Sequence, residues 1–110
     1  MSKKVAIIGG GAAGLMAAYA AASGGNDVTV FERNQRPARK VMITGKGRCN
    51  VTNNCDRDTF LANTPHGSRF MFSAFSAFSC EDTMNFFERQ GVSLKTERGN
   101  RVFPVSDKAV

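Results

Sequence analysis

Tryptophan is absent from these 110 residues, tyrosine and histidine occur once each, and proline and cysteine three times each. The one histidine, His66, follows Pro65 and has no cysteine or aspartate arrangement that would pair a nucleophile with a base, so it reads as a surface-loop residue and not a general base. Cys49, Cys55 and Cys80 are odd in number and form no CxxC pair, which argues against a disulfide framework and against a zinc site. Reduced thiols fit a cytoplasmic setting. No charge falls between Val5 and Ala22, as in a signal sequence or a membrane span, but Gly9, Gly10, Gly11 and Gly14 interrupt the stretch where it should be strongest. Each costs about 1 kcal/mol relative to alanine inside a helix, so neither segment is expected. Asn50-Val51-Thr52 has the form of a glycosylation sequon, which is idle in a cytosolic chain. The length leaves room for one small domain and none for a separate substrate domain of usual size.

Fifteen basic against nine acidic side chains give a formal charge of +6. On its own this invites a nucleic-acid or phosphate-binding reading. The excess is local, however. Residues 1–32 and 49–110 are each neutral, and all of it lies in Arg33, Arg36, Arg39, Lys40, Lys46 and Arg48. A nucleic-acid surface would interleave aromatics with these cations for base stacking, and none occurs between Glu32 and Asn54. No nucleic-acid partner and no membrane partner is therefore expected.

Lys4 to Ile8 is a β-branched apolar run without alternation, as expected for a strand of a parallel sheet buried on both faces. Ala12 to Ser23 follows as a helix rich in Ala, Leu and Met, closed by Gly24-Gly25, and Asp27 to Phe31 is a second strand. The unit reads strand, tight turn, helix, strand, with a right-handed crossover. The fold class is α/β, the N-terminal part of a Rossmann-like domain. Residues 33–58 read as a functional loop with at most a short element at Val41–Ile43. Met71, Phe75 and Phe78 fall at helical spacing within Ser68 to Phe78, and the surrounding phenylalanines read as core. A further helix is expected over Glu81–Gln90, capped by Ser79 with Asp82 and stopped by Gly91. Val92–Thr96 and Arg101–Phe103 read as strands joined through Gly99-Asn100. Ser106-Asp107-Lys108-Ala109 looks like a cap and first turn of another helix.

Gly9-x-Gly11-x-x-Gly14 lies between the first strand and the helix, and Glu32 stands eighteen positions beyond Gly14 at the end of the second strand. In that setting the pattern is a dinucleotide fingerprint: Gly9 permits the sharp turn, Gly11 lets backbone approach a pyrophosphate, and Gly14 lets helix and strand pack closely. The free amides and positive dipole end of the helix face the phosphates, while Glu32 accepts hydrogen bonds from the ribose. NAD and FAD share the ADP moiety, so both stay open, and Arg33 beside Glu32 keeps NADP open as well. The stretch Arg39 to Asn53 is the second notable run. It lacks the GxxxxGK[ST] pattern of a P-loop, and Gly45 and Gly47 are spaced to bring backbone against a flat or anionic ligand. Cys49, next to Arg48, reads as a packing residue.

Taken together, Gly9 to Gly14, Glu32-Arg33-Asn34, Arg39-Lys40, Thr44 to Asn53 and Arg101 to Ala109 resemble the bacterial HI0933-like flavoprotein family, also described as BaiN-like or aminoacetone-oxidase-like. The resemblance implies an FAD-dependent oxidoreductase with NAD(P)H as a candidate reductant, the flavin carrying the hydride or electron chemistry. It implies that residues 1–110 are an incomplete N-terminal portion of the FAD-binding domain; sheet edges and Phe-rich helices would then lie uncovered, so this portion alone is expected to be poorly soluble and to retain little flavin. Position by position, it places Gly9, Gly11, Ala12, Ala13 and Gly14 on the pyrophosphate and Glu32 on the adenosine ribose. Arg33 and Lys40 go to the adenine side or the phosphates, and Gly45, Gly47, Arg48, Cys49 and Asn50 along the ribityl and isoalloxazine. No catalytic residue and no metal ligand is assigned. Two positions depart from the family pattern: Ala38 stands where glycine is usual, and Lys46 where glycine or serine is commoner. Substrate and oligomeric state are not legible.

Overall fold

Alternate residues of the first strand, β1 (Lys4–Ile8), are half-buried and exposed, and those of β2 (Asp27–Phe31) repeat the pattern. The two pair in parallel, from Lys4 opposite Asp27 to Ile8 opposite Phe31, in a computed structural model that describes residues 1–110. Between them runs α1 (Ala12–Ser23), which packs on both strands. Its alanine-rich sequence has no breaker after Gly14 and ends where the Gly24 N–H reaches back to the Ala20 and Ala21 carbonyls. Within these residues one face of the strand pair is covered and the other is not. Val5, Ile7, Val28 and Val30 take the covered side, while Ile8 and Phe31 on the other are 83% and 56% exposed. A parallel sheet needs a layer on each side, and α1 supplies one. A five-residue helix, α2 (Arg39–Ile43), completes the first of two compact units, Met1–Thr44.

The second unit, Gly45–Val110, is built on a small antiparallel sheet. Its strands are β3 (Thr52–Asn53), β4 (Leu94–Thr96) and β5 (Arg101–Pro104), with β5 in the centre. Val102 faces both Thr52 and Thr96 across the ladders. Central position removes Val102 and Phe103 from water, at 0% and 2% exposure. Three helices, α3 (Arg57–Ala62), α4 (Ser68–Ala77) and α5 (Cys80–Arg89), fill the chain between β3 and β4. The ring of Phe60 on α3 stacks on Phe75 of α4 with centroids 4.1 Å apart, and α5 lies on the sheet with Cys80 buried at its first turn.

Several expectations change here. The region 33–58 contains α2, β3 and the start of α3, more structure than one short element. Asp56 caps α3 by accepting from the Thr59 N–H at 2.8 Å, a local signal that a short helix follows. Of the phenylalanines read as core, Phe75 is buried, whereas Phe70, Phe72 and Phe78 are exposed, because α4 turns only one stripe toward α3. No helix begins at Ser106. Asp107 adopts a left-handed backbone, φ 57°, which no helical turn allows. The hairpin through Gly99-Asn100 is present, both residues at positive φ. The capping pair of Ser79 and Asp82 is present as a reciprocal box. No helix is long and apolar enough to cross a membrane.

Candidate functional site

In the first unit the turn after β1 is shaped by two glycines. Gly9 has φ +97° and donates its N–H to the Phe31 carbonyl at 2.8 Å, which ties the turn to the end of β2. A β carbon on Gly14 would lie 1.9 Å from the Gly9 carbonyl oxygen, so only glycine allows α1 to start this close to the turn. Gly11 is different. Nothing lies within 4 Å of the place its β carbon would take, and no side chain caps the helix that begins at Ala12. The first-turn amides and the positive dipole end thus border open space, which fits an anionic diphosphate.

Glu32 leaves β2 beside this turn. Its Oε1 accepts from the Gly10 N–H at 2.9 Å and its Oε2 from the Asn34 N–H at 2.7 Å. These two amides, Asn34 foremost, hold the carboxyl below its ordinary range, so it is ionised at neutral pH and fixed in orientation. Each oxygen keeps a further lone pair for a hydroxyl donor. Gly10, buried against Glu32 and Pro37, was not singled out by the sequence, nor was the Ala38 N–H that bonds to the Gly10 carbonyl at 2.7 Å. No spacing rule signals either contact.

Beyond Glu32, Arg33, Asn34, Gln35, Arg36, Arg39 and Met42 surround an open cleft of about 540 Å³. Arg39 donates to Asn34 Oδ1 at 3.4 Å. Lys40 is exposed on α2 and does not line that cleft. Ala38, the N-cap of α2, sits at φ 59° and ψ 27°, a left-handed conformation. The glycine that the resemblance leads one to expect here would take this backbone without the steric cost of a β carbon.

The second unit holds the rest of the expected residues. Gly45, Lys46 and Gly47 are consecutive left-handed residues (φ 58°, 57° and 83°), and Cys49 is another (φ 64°). Lys46, the second departure from the family pattern, is thus also a side chain at a glycine-like position. Asn50, its amide nitrogen turned toward the sheet, donates to the Val102 and Thr52 carbonyls at 3.2 and 3.0 Å. Arg48 points into the second unit. Its guanidinium pairs with Glu97 and with Asp107 (2.8 Å) and lies 4.0 Å from the centroid of the Phe103 ring. Lys95 closes the group, 3.2 Å from Glu97 and 2.7 Å from Asp107. Both carboxyls are held below their ordinary range, Glu97 chiefly by Arg48 and Asp107 chiefly by Lys95. Glu97 and Lys95 went unremarked in the sequence, and Asp107 entered it only within a helix start and the Arg101 to Ala109 motif, because the contacts span up to 59 positions.

A family model describing the HI0933-like protein Rossmann domain matches residues 3–110. The chain belongs to that family. Among relatives of this HI0933-like chain, a 3-dehydro-bile acid delta(4,6)-reductase of Clostridium scindens is 37% identical over 110 residues, 96% of this chain and 26% of that protein. A ribosomal RNA dihydrouridine synthase of Escherichia coli is 33% identical over 98 residues, covering 88% of this chain and 24% of its own length. Its counterpart in Haemophilus influenzae is 34% identical over the same shares. The HI0933-like chain spans about a quarter of the length of the curated relatives it matches.

Proposed function

We propose that this chain supplies the ADP-binding part of the cofactor site of an FAD-dependent oxidoreductase. The observation that carries the reading is the uncapped start of α1, with open space over Gly11 and an ionised, backbone-fixed Glu32 beside the same turn. Gly9, Gly11, Ala12, Ala13 and Gly14 take the pyrophosphate and Glu32 the ribose hydroxyls. Arg33 and Lys40 serve the adenine side or the phosphates, and Gly45, Gly47, Cys49 and Asn50 line the flavin end. Arg48 belongs to that end through the loop it anchors. When bound, the flavin supplies hydride or electron transfer. The residues of this chain bind and orient it.

Both kinds of relative are named for reductions, one at the delta(4,6) positions of a bile-acid skeleton and one yielding dihydrouridine in ribosomal RNA. We therefore infer a reductase, drawing on NAD(P)H, in the cytoplasm. The basic stretch is not read as an RNA surface, since Arg48 and Arg39 have protein partners and no aromatic is interleaved with the cations. The decisive test is the visible spectrum of the protein that contains this chain. A flavin band at ~450 nm, lost in Glu32→Ala, is expected. A second reading, an NADP-binding module, draws on the arginine cleft beside Glu32. Absence of that band, with NADPH binding that weakens in Arg33→Ala, would establish it instead.

A further inference from the structure

The loop Gly45–Cys49 has a conformation its side chains oppose. Lys46 and Cys49 both carry a β carbon in the left-handed region, and glycine alone takes that region without steric cost. One hydrogen bond lies inside the loop, from the Arg48 N–H to the Gly45 carbonyl at 3.2 Å, and the remaining restraint has to come from outside it. Three restraints do this within the second unit. The Ala109 N–H donates to the Gly47 carbonyl at 2.9 Å, and the Val51 N–H donates to the Val102 carbonyl at 2.9 Å. Between them Arg48 lies over the buried Phe103 ring with its guanidinium against two carboxylates.

The charges form a closed ring. Arg48 meets Glu97 and Asp107, and Lys95 meets the same two acids, so every member has two partners of opposite sign. An isolated exposed pair contributes little, but here one guanidinium is held by two anions and an aromatic face at once. Lys95 adds no contact to the loop. Its place between Glu97 and Asp107 sets the two acids where Arg48 can reach both.

We propose that Glu97, Asp107 and Lys95 are positioning residues for the cofactor loop, holding Gly45–Cys49 in its left-handed form through Arg48. The inference rests on the reading of Gly45–Asn50 as the flavin end of the site. It differs from a direct role for Arg48 in one respect. If Arg48 reached the cofactor itself, neutralising its two acids would free the cation and leave binding equal or tighter.

The test uses the protein that contains this chain, stripped of FAD and titrated with FAD, in wild type, Glu97→Gln, Asp107→Asn and the double variant, with Glu97→Asp and Asp107→Glu as charge-retaining controls. For each, the visible circular dichroism of the bound flavin and the rate of tryptic cleavage after Lys46 in the FAD-free protein are recorded. The neutral variants are expected to weaken FAD binding by about tenfold, the size of effect seen when a supporting contact behind a ligand is removed. They should also alter the flavin dichroism and speed cleavage after Lys46, while the charge-retaining variants recover most of the wild-type values. Should the double variant fail to fold, the single variants decide on the same readouts. Wild-type affinity, dichroism and cleavage in folded neutral variants would overturn the positioning role and leave the cofactor reading intact. A wild-type protein that takes up no FAD would overturn both.

Discussion

A β carbon at Gly14 would meet the Gly9 carbonyl oxygen at 1.9 Å, a distance no side-chain rotation can relieve because the backbone fixes the β carbon and its neighbour is itself backbone. Gly14→Ala is therefore expected to push α1 off the turn, destabilise the first unit by about 3 kcal/mol and abolish FAD uptake, as read by urea unfolding and cofactor titration. The opposite sign is expected at Ala38. Its left-handed backbone costs a β carbon about 1 kcal/mol, of which glycine's extra freedom in the unfolded chain takes back part. Ala38→Gly should raise stability by about 0.5 kcal/mol, visible as a higher urea midpoint at unchanged slope. At this scale the sequence is legible where a residue type has one purpose, as with Gly9 and Gly14 in the turn. It is opaque where an ordinary side chain occupies a special conformation. Nothing in the letters Ala38, Lys46 or Cys49 announces positive φ, although the family pattern flags the first two as departures.

The best-marked element is α5. Ser79 accepts from the Asp82 N–H at 3.1 Å while Asp82 accepts from the Ser79 N–H at 2.9 Å, and Thr83 adds a bond to the Ser79 carbonyl. Ser79→Ala should cost about 1 kcal/mol, measured by denaturant unfolding, with the helix fraying from Cys80. Elements whose ends carry such chemistry, α1 with its glycines and α5 with its box, stand out in the sequence to within a residue or so. β3 does not, since a two-residue strand has no periodicity and its partner Arg101–Val102 lies far along the chain. The tail at Ser106 to Ala109 shows the converse. Local preference favours a helix start there, but Arg48 and Lys95 draw the Asp107 carboxylate into the charge ring and the Ala109 amide bonds to Gly47, so long-range contacts prevail over capping chemistry.

Across the whole chain, five carboxyls are held below their ordinary values: Glu32, Asp56 and Asp82 by backbone amides, Glu97 and Asp107 by cations. Unfolding returns each to an ordinary value of 4.5 for glutamate or 3.8 for aspartate, so on acidification the unfolded chain takes up protons first. The stabilisation is complete above those values and is lost as pH falls through the lower folded ones. Unfolding midpoints should thus stay level from neutral pH to about 5 and decline below about 4, and Glu97→Gln with Asp107→Asn should lessen that decline. Fold class was readable at this scale because the parallel strand–helix–strand unit is contiguous in sequence. The second unit was only partly readable, because its central strand is near the far end of the segment it organises.

That last arrangement also bears on biosynthesis. The glycine turn, α1 and Glu32 have their partners once the chain through Ala38 has emerged, yet Gly47 waits for the amide of Ala109 and Arg48 for Asp107. A ribosome-bound chain paused between these points would hold a folded Gly9–Gly14 turn while the loop Gly45–Cys49 still lacked its restraints, so the loop is expected to order only after Ala109 has emerged.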